Sequence, residues 1–276
     1  MAESYSEDSS AASASTGNSV LNDTTLKWVG VGFAAAFTLV VGYLLTRVYQ
    51  MADPQLMVQI FPRFVDAYLR VLQIVVISGA LSLVGAVLVG FGRVSNTRFT
   101  HSIATGYVEF FRGTPLLFQL LVIYIGIPRL FGGAGFLFED WRFPAAVIGL
   151  TLNHAAYGGE AIRGGINAVP DGQMEAARSL GMSYVQSMRE VILPQAWRNA
   201  LAALGNDQVI LVKDTSLLTV IAFPELIHVF RNVNSTFFDP WSPIILVAVA
   251  YLGITLPLGK LVRYMESRAE WGSGSR

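Results

Sequence analysis

Val71-Leu-Gln-Ile-Val-Val-Ile-Ser-Gly-Ala80-Leu-Ser-Leu-Val-Gly-Ala-Val-Leu-Val-Gly90-Phe-Gly92 runs without a single charged side chain. A helix needs about 20 apolar residues to cross a hydrocarbon core of roughly 30 Å, so this stretch is long enough to span a membrane. Trp28 to Thr46 and Pro240 to Gly259 are equally free of charge. Two more runs are polar only at one end: Gly113 to Pro128 continues past Arg129 into Leu130 and Phe131, and Phe143 to Gly159 stops at Glu160. A sixth, Leu201 to Phe223, contains Asn206, Asp207, Lys213 and Asp214, a pattern that also fits an amphipathic surface helix. The whole chain is 53% hydrophobic and only 14% charged, far from the balance of a soluble domain. The expected fold is all-α, a polytopic helical membrane protein with six spans.

Outward from these runs, the connectors set the orientation, because short loops rich in Lys and Arg stay in the cytoplasm. One set holds Arg93, Arg98, Arg112, Arg163, Arg178, Arg189, Arg198, Lys260, Arg263 and Arg268; the other holds Arg47, Arg63, Arg70, Arg129, Arg142 and Arg231. The bias places both termini and the segment from about 163 to 200 in the cytoplasm. Residues 1 to 25 are Ser, Ala and acidic residues, too poor in large apolar groups to bury a core, and are expected to be a disordered cytoplasmic tail that stays on the mature protein. Lys plus Arg equals Asp plus Glu at 19 each, so no charge excess points to nucleic acid. Cysteine is absent, and His101, His154 and His228 are dispersed without ligand spacing; all three read as structural, and no metal site is expected. Ser78, Gly79, Ser82 and Gly85 mark a face where a neighbouring helix approaches closely.

Between the fourth and fifth spans lies Val169-Pro-Asp-Gly-Gln-Met-Glu175-Ala-Ala-Arg-Ser-Leu-Gly181-Met-Ser-Tyr-Val-Gln-Ser-Met-Arg-Glu-Val191-Ile-Leu193-Pro194. It reads as helix, break, helix: Asp171 as cap, Gly181 as the turn that needs positive φ, and Pro194 as the end of the second helix. Ala176 and Ala177 allow close approach to a groove on another protein. The stretch E-A-A, three residues, G, nine residues, then V-x-L-P resembles the signature of binding-protein-dependent ABC permeases, filled here by Glu175, Ala176, Ala177, Gly181, Val191, Leu193 and Pro194. The resemblance implies that segment 169–194 docks on an ATPase subunit and transmits its closure to the membrane helices.

A second resemblance covers nearly all of residues 65–265. Glu109-Phe-Phe-Arg112-Gly113-Thr114-Pro115-Leu-Leu-Phe-Gln119, Leu150-Thr-Leu-Asn153 with Ala156-Tyr157, Glu160, Arg163-Gly-Gly-Ile166, Lys213-Asp214-Thr215-Ser216-Leu217 and Pro224-Glu225-Leu226 are similar to the polar-amino-acid uptake subfamily, that of histidine, glutamine and arginine permeases. Such permeases have a five-helix core, so residues 26–50 are expected to form an added transmembrane helix, with 266–276 a C-terminal tail. Arg112, Gly113, Thr114 and Pro115 read as a charged anchor followed by a helix start. Asn153 and Glu160 are seven apart and share a helix face, as do Asp207 and Asp214; with Lys213 these are candidates for the substrate path, since an ionisable group at membrane depth needs a cavity or a partner. Pairing of Lys213 with Asp214, or a position at the interface, fits the same residues.

No G-x-x-x-x-G-K-[ST] occurs, so the chain is not expected to be an enzyme; ATP and Mg would be held by separate ATPase subunits. The resemblance further implies an extracytoplasmic solute-binding protein, a second permease chain and a prokaryotic cell membrane. An importer of another small solute, such as an osmolyte, is the alternative cargo reading. An intramembrane hydrolase would need paired catalytic groups that no motif here supplies, and an ion-driven transporter would have no use for the docking segment.

Overall fold

In a computed structural model, residues 23–132 and 140–270 are described, and among them every regular element is helical. The expectations for the N-terminal tail and for residues 271–276 lie outside the described residues. The chain divides into two units, Met1–Ala52 and Asp53–Arg276. The first contains one helix among the described residues, α1 (Asp23–Met51), apolar over nearly its whole length.

The second unit opens with α2 (Pro54–Arg93), 40 residues long. Its start is well specified: Asp53 accepts hydrogen bonds from the N–H of Gln55 at 2.8 Å and of Leu56 at 3.4 Å, and Pro54 takes the first helical position, where a missing N–H costs nothing. At 1.5 Å per residue this helix is about 60 Å long, roughly twice a hydrocarbon core. Leu56, Ile60, Phe64, Ala67 and Val71 therefore extend the buried stripe well before the charge-free run, and pack with Leu226, Val233, Val247 and Ile254. Arg63 and Arg70, expected in a connector, instead stand on the exposed side of this helix.

α3 (Arg98–Gly113) is amphipathic, and α4 (Leu116–Leu130) follows it after a bend of 103°. The expected span from Gly113 thus begins at Leu116, because the Pro115 ring pushes Thr114 into extended backbone at φ −117°, ψ 145°. α5 (Arg142–Asn167) packs along the second half of α2. The approach is as close as two helices allow: a Cβ built on Gly159 would lie 2.5 Å from Val89 Cγ1, and one on Gly90 would lie 2.7 Å from Ile162 Cγ2. Gly85 faces Ala155 and Gly79 faces Gln208 in the same manner, so the small residues of the second span do face neighbouring helices.

The short α6 (Asp171–Ser179) is followed by α7, residues 184–214, which comprises a first turn Tyr184–Ser187, a π-helical turn Met188–Ile192 and the helix Leu193–Asp214. Pro194 does not end the helix as expected. The preceding π turn bonds Leu193 N–H to Met188 O, five residues back, and the wider turn accommodates a proline that cannot donate. A 3₁₀ turn (Thr215–Ile221) leads to α8 (Leu226–Phe237), and α9 (Trp241–Glu270) closes the unit. Among the described residues, only α1, α2 and α9 are apolar and long enough to cross a membrane on that measure alone, and the bent α3–α4 pair passes the same test when taken as one broken span. α5 and α7 fall short because they hold the polar groups that the interior uses.

Candidate functional site

The break between α3 and α4 forms one lip of a cavity of about 550 Å³ whose other walls are α5, α7 and the 3₁₀ turn. Arg112, Gly113, Thr114 and Pro115 all line it, together with Asn153, His154, Tyr157, Asp207 and Asp214. Interrupting a helix at this depth leaves carbonyls without partners, and in lipid they must be satisfied by protein. Gln119, buried, does this: its Nε2 donates to Phe111 O at 2.9 Å, Thr114 O at 3.0 Å and Thr114 Oγ1 at 2.9 Å. Asn153 Nδ2 adds a bond to Phe111 O at 3.2 Å and another to Gln119 Oε1 at 3.0 Å. Asn153 thus lines the cavity while fixing the break that shapes it.

The α7 wall is acidic. Asp207 and Asp214, seven residues apart, both turn inward onto His154 of α5: Asp207 Oδ1 is 3.0 Å from Nδ1, and Asp214 Oδ2 is 3.4 Å from Nε2, near enough for an ion pair but poorly aligned for a hydrogen bond. His154 is almost wholly buried, and its single imidazole stands between the two carboxyl groups, one at each ring nitrogen. Lys213 points elsewhere, is exposed and makes no ion pair among the described residues; Asp214 takes the histidine as partner instead. His154, which reads as merely structural in the sequence, is a cavity residue whose partners come from another helix.

Glu160 sits about two turns further along α5, among three arginines. Arg163 Nε donates to its Oε2 at 3.0 Å and Arg163 also reaches Oε1; Arg93 Nη2 lies 3.4 Å from Oε2, and Arg112 Nη1 only 3.8 Å from Oε1. The cluster joins α2, α3 and α5 and carries two positive charges in excess. Glu160 and Asn153, which share a helix face in the sequence, therefore serve different networks.

Segment 169–194, expected to couple to an ATPase, has a definite geometry. Asp171 is the first helical residue rather than the cap: Pro170 occupies that place, and the carboxylate meets the positive end of the helix from within its first turn. The far end is a Schellman turn, with Gly181 N–H bonded to Arg178 O at 3.0 Å and Met182 N–H to Ala177 O at 3.2 Å, and Gly181 at φ +85°. The signature residues split between two faces. Glu175 and Ala176 are exposed, next to Leu180 at 84% and Val185 at 73% exposure, whereas Ala177 is buried and Val191 packs on Val169, Ile192 and Ala196. Leu193 is half-buried and Pro194 exposed.

Residues 82–271 match the family described as binding-protein-dependent transport system inner membrane component. The chain belongs to this family. It is 37% identical over 223 residues to the nopaline transport system permease protein of Agrobacterium fabrum, covering 79% of this chain and 91% of that one. It is 37% identical over 198 residues to the histidine/lysine/arginine/ornithine transport system permease protein of Escherichia coli, covering 70% and 82%. A solved amino acid ABC transporter crystallised with histidines superposes with a TM-score of 0.71 at 35% identity, over 79% of this chain and 99% of that one. A methionine ABC transporter in an inward facing conformation, at 18% identity and a TM-score of 0.59, shares the fold alone. The protein is an ABC permease of the inner membrane, a multi-pass transport component and not an enzyme.

Proposed function

We propose that this permease carries amino acids with polar or charged side chains, received from an extracytoplasmic solute-binding protein and passed through the cavity between the α3–α4 break, α5 and α7. The observation that carries the reading is the acidic wall of buried Asp207 and half-buried Asp214: two carboxylates held at a cavity in the membrane interior are costly unless a cation meets them. An ammonium group, present on every amino acid, is such a cation. The names of the relatives, which refer to basic amino acids and to nopaline, support the same class.

Movement would be driven from outside the chain. ATP and Mg belong on separate ATPase subunits, since no phosphate-cradling loop exists here. The exposed face of Glu175, Ala176, Leu180 and Val185 is the part of segment 169–194 that offers itself to an ATPase groove, and the buried Ala177 and Val191 tie it to the rest of the segment. ATP binding would close the ATPases, displace α6 and switch the cavity from cytoplasmic to outward access; hydrolysis would reset it. A second permease chain completes the path. The test is uptake into proteoliposomes holding the complete transporter and its binding protein, against a panel of amino acids, osmolytes, sugars and phosphonates. Saturable uptake of amino acids with polar or charged side chains is expected; uptake of an osmolyte or sugar with none of an amino acid would overturn the cargo assignment.

A further inference from the structure

Arg112 is the least committed cation of the Glu160 cluster. Glu160 is already met by Arg163 through two nitrogens and by Arg93, which is itself held by Thr105, while Arg112 stands off at 3.8 Å with 41% of its side chain exposed. Its guanidinium lies 5.3 Å from the centroid of the Tyr157 ring, a face that stabilises a cation without consuming its donors. Arg112 and Tyr157 both line the cavity, and the arginine is opposite in charge to Asp207 and Asp214. One cavity therefore has a fork of unused N–H donors at one place and an acidic wall at another. That charge pattern is the complement of a zwitterion.

We infer that Arg112 is the residue that recognises the carboxylate of the cargo, exchanging its weak contact with Glu160 for a two-point hydrogen bond to the amino acid while the cargo's ammonium end faces Asp214. Asp214 is the more accessible of the two acids, at 30% against 11% for Asp207. The exchange leaves Glu160 paired with Arg163 and Arg93, so the carboxylate is not stranded when Arg112 leaves. A guanidinium suits the task better than an ammonium because its planar fork matches a carboxylate at two points. Glu160 is then a competitor that keeps Arg112 positioned at the cavity when no cargo is present.

The inference rests on the amino-acid reading above, and the experiment separates the two. Equilibrium binding is measured on the purified complete transporter without binding protein, using arginine, histidine, lysine and glutamine, the first three each beside its decarboxylated amine: agmatine, histamine and cadaverine. Wild type is expected to bind at least one of these amino acids about tenfold more tightly than its amine, the size of one charge-assisted pair. Arg112→Gln should remove that preference by weakening the amino acid and leaving the amine unchanged, and Arg112→Lys should restore part of it. Glu160→Gln, which frees Arg112, should tighten amino-acid binding; a merely structural arginine would weaken amino acid and amine alike in every variant. Preference intact in Arg112→Gln, or equal loss for both ligands, overturns the role of Arg112 while leaving the cargo class standing. Should wild type bind none of the amino acids here and transport none in the uptake panel, both readings fall.

Discussion

Glu225 shows how much a single buried carboxyl can depend on its surroundings. It is fully buried between the last two long helices, caps α8 by accepting from Ile227 N–H at 2.6 Å and His228 N–H at 2.7 Å, and receives a longer contact from Tyr251 Oη at 3.4 Å. Burial pushes its pKa up to about 7, against the opposing pull of the two backbone donors. The neutral acid is therefore the form that the folded state prefers relative to the unfolded chain. Its contribution to stability is present below the ordinary glutamate value and is lost as pH rises through about 7. Glu225→Gln keeps an acceptor for the cap but cannot ionise. The variant is expected to match wild type in thermal midpoint at pH 5, in detergent, and to exceed it at pH 8. An equal difference at both pH values would show that the ionisation of Glu225 does not govern stability here.

Elements explain why some of the site is readable in the sequence and some is not. The proposed docking helix, α6, is legible because its features are local: a proline start, two alanines and a glycine that lies at φ +85° can all be read within a dozen residues. Its two faces are not, and they change which substitution is informative. Ala177 is buried against its own chain, so a long cation there would disrupt the permease itself; Ala176 is exposed and tests docking alone. A Cβ added at Gly181 would meet no atom within 4 Å, and the cost of Gly181→Val that the structure identifies is backbone strain, about 1–2 kcal/mol for a left-handed residue. Ala176→Arg is expected to abolish most coupled ATP hydrolysis and uptake in proteoliposomes at equal incorporation, with the isolated ATPase subunit unchanged, and Gly181→Val to cause a smaller loss. Unchanged uptake in both would reduce the segment to a connector. On α5 and α7 the heptad spacings of Asn153 with Glu160 and of Asp207 with Asp214 identify shared faces, since periodicity records which residues point together. It does not record what they point at. His154 meets a partner 53 residues away, and nothing in the run around it distinguishes that pairing from an isolated core histidine. The passage of the helix through Pro194 escapes the sequence for a related reason, because a π turn is not visible in apolar spacing.

At the scale of the molecule, the polar groups concentrate in the helices that are least apolar, and this ordering constrains how the chain sits in the bilayer. α2 and α9 are greasy enough to face lipid, while α5 and α7 hold the acids, the amides and the histidine around one cavity. A helix of the second kind is stable at membrane depth only when its polar face is covered by its neighbours. We propose six crossings, with α5 and α7 inside; these would place α6 on the same side as the arginine-rich connectors and α8 on the other, and the positive-inside rule would then make α6 cytoplasmic. Single cysteines can report this cleanly, because the natural chain has none to remove. Lys27→Cys and Ser179→Cys, both at exposed positions, should resist a membrane-impermeant thiol reagent applied to intact cells and react once the membrane is opened. Ser235→Cys, exposed on α8, should react from outside at once. Labelling of Ser179→Cys in intact cells would invert the arrangement and put the docking face on the wrong side of the membrane for an ATPase. Protection of Ser179→Cys together with protection of Ser235→Cys would instead mean that α7 does not cross, leaving Asp207 and Asp214 at a cytoplasmic surface where no membrane cavity is needed to explain them.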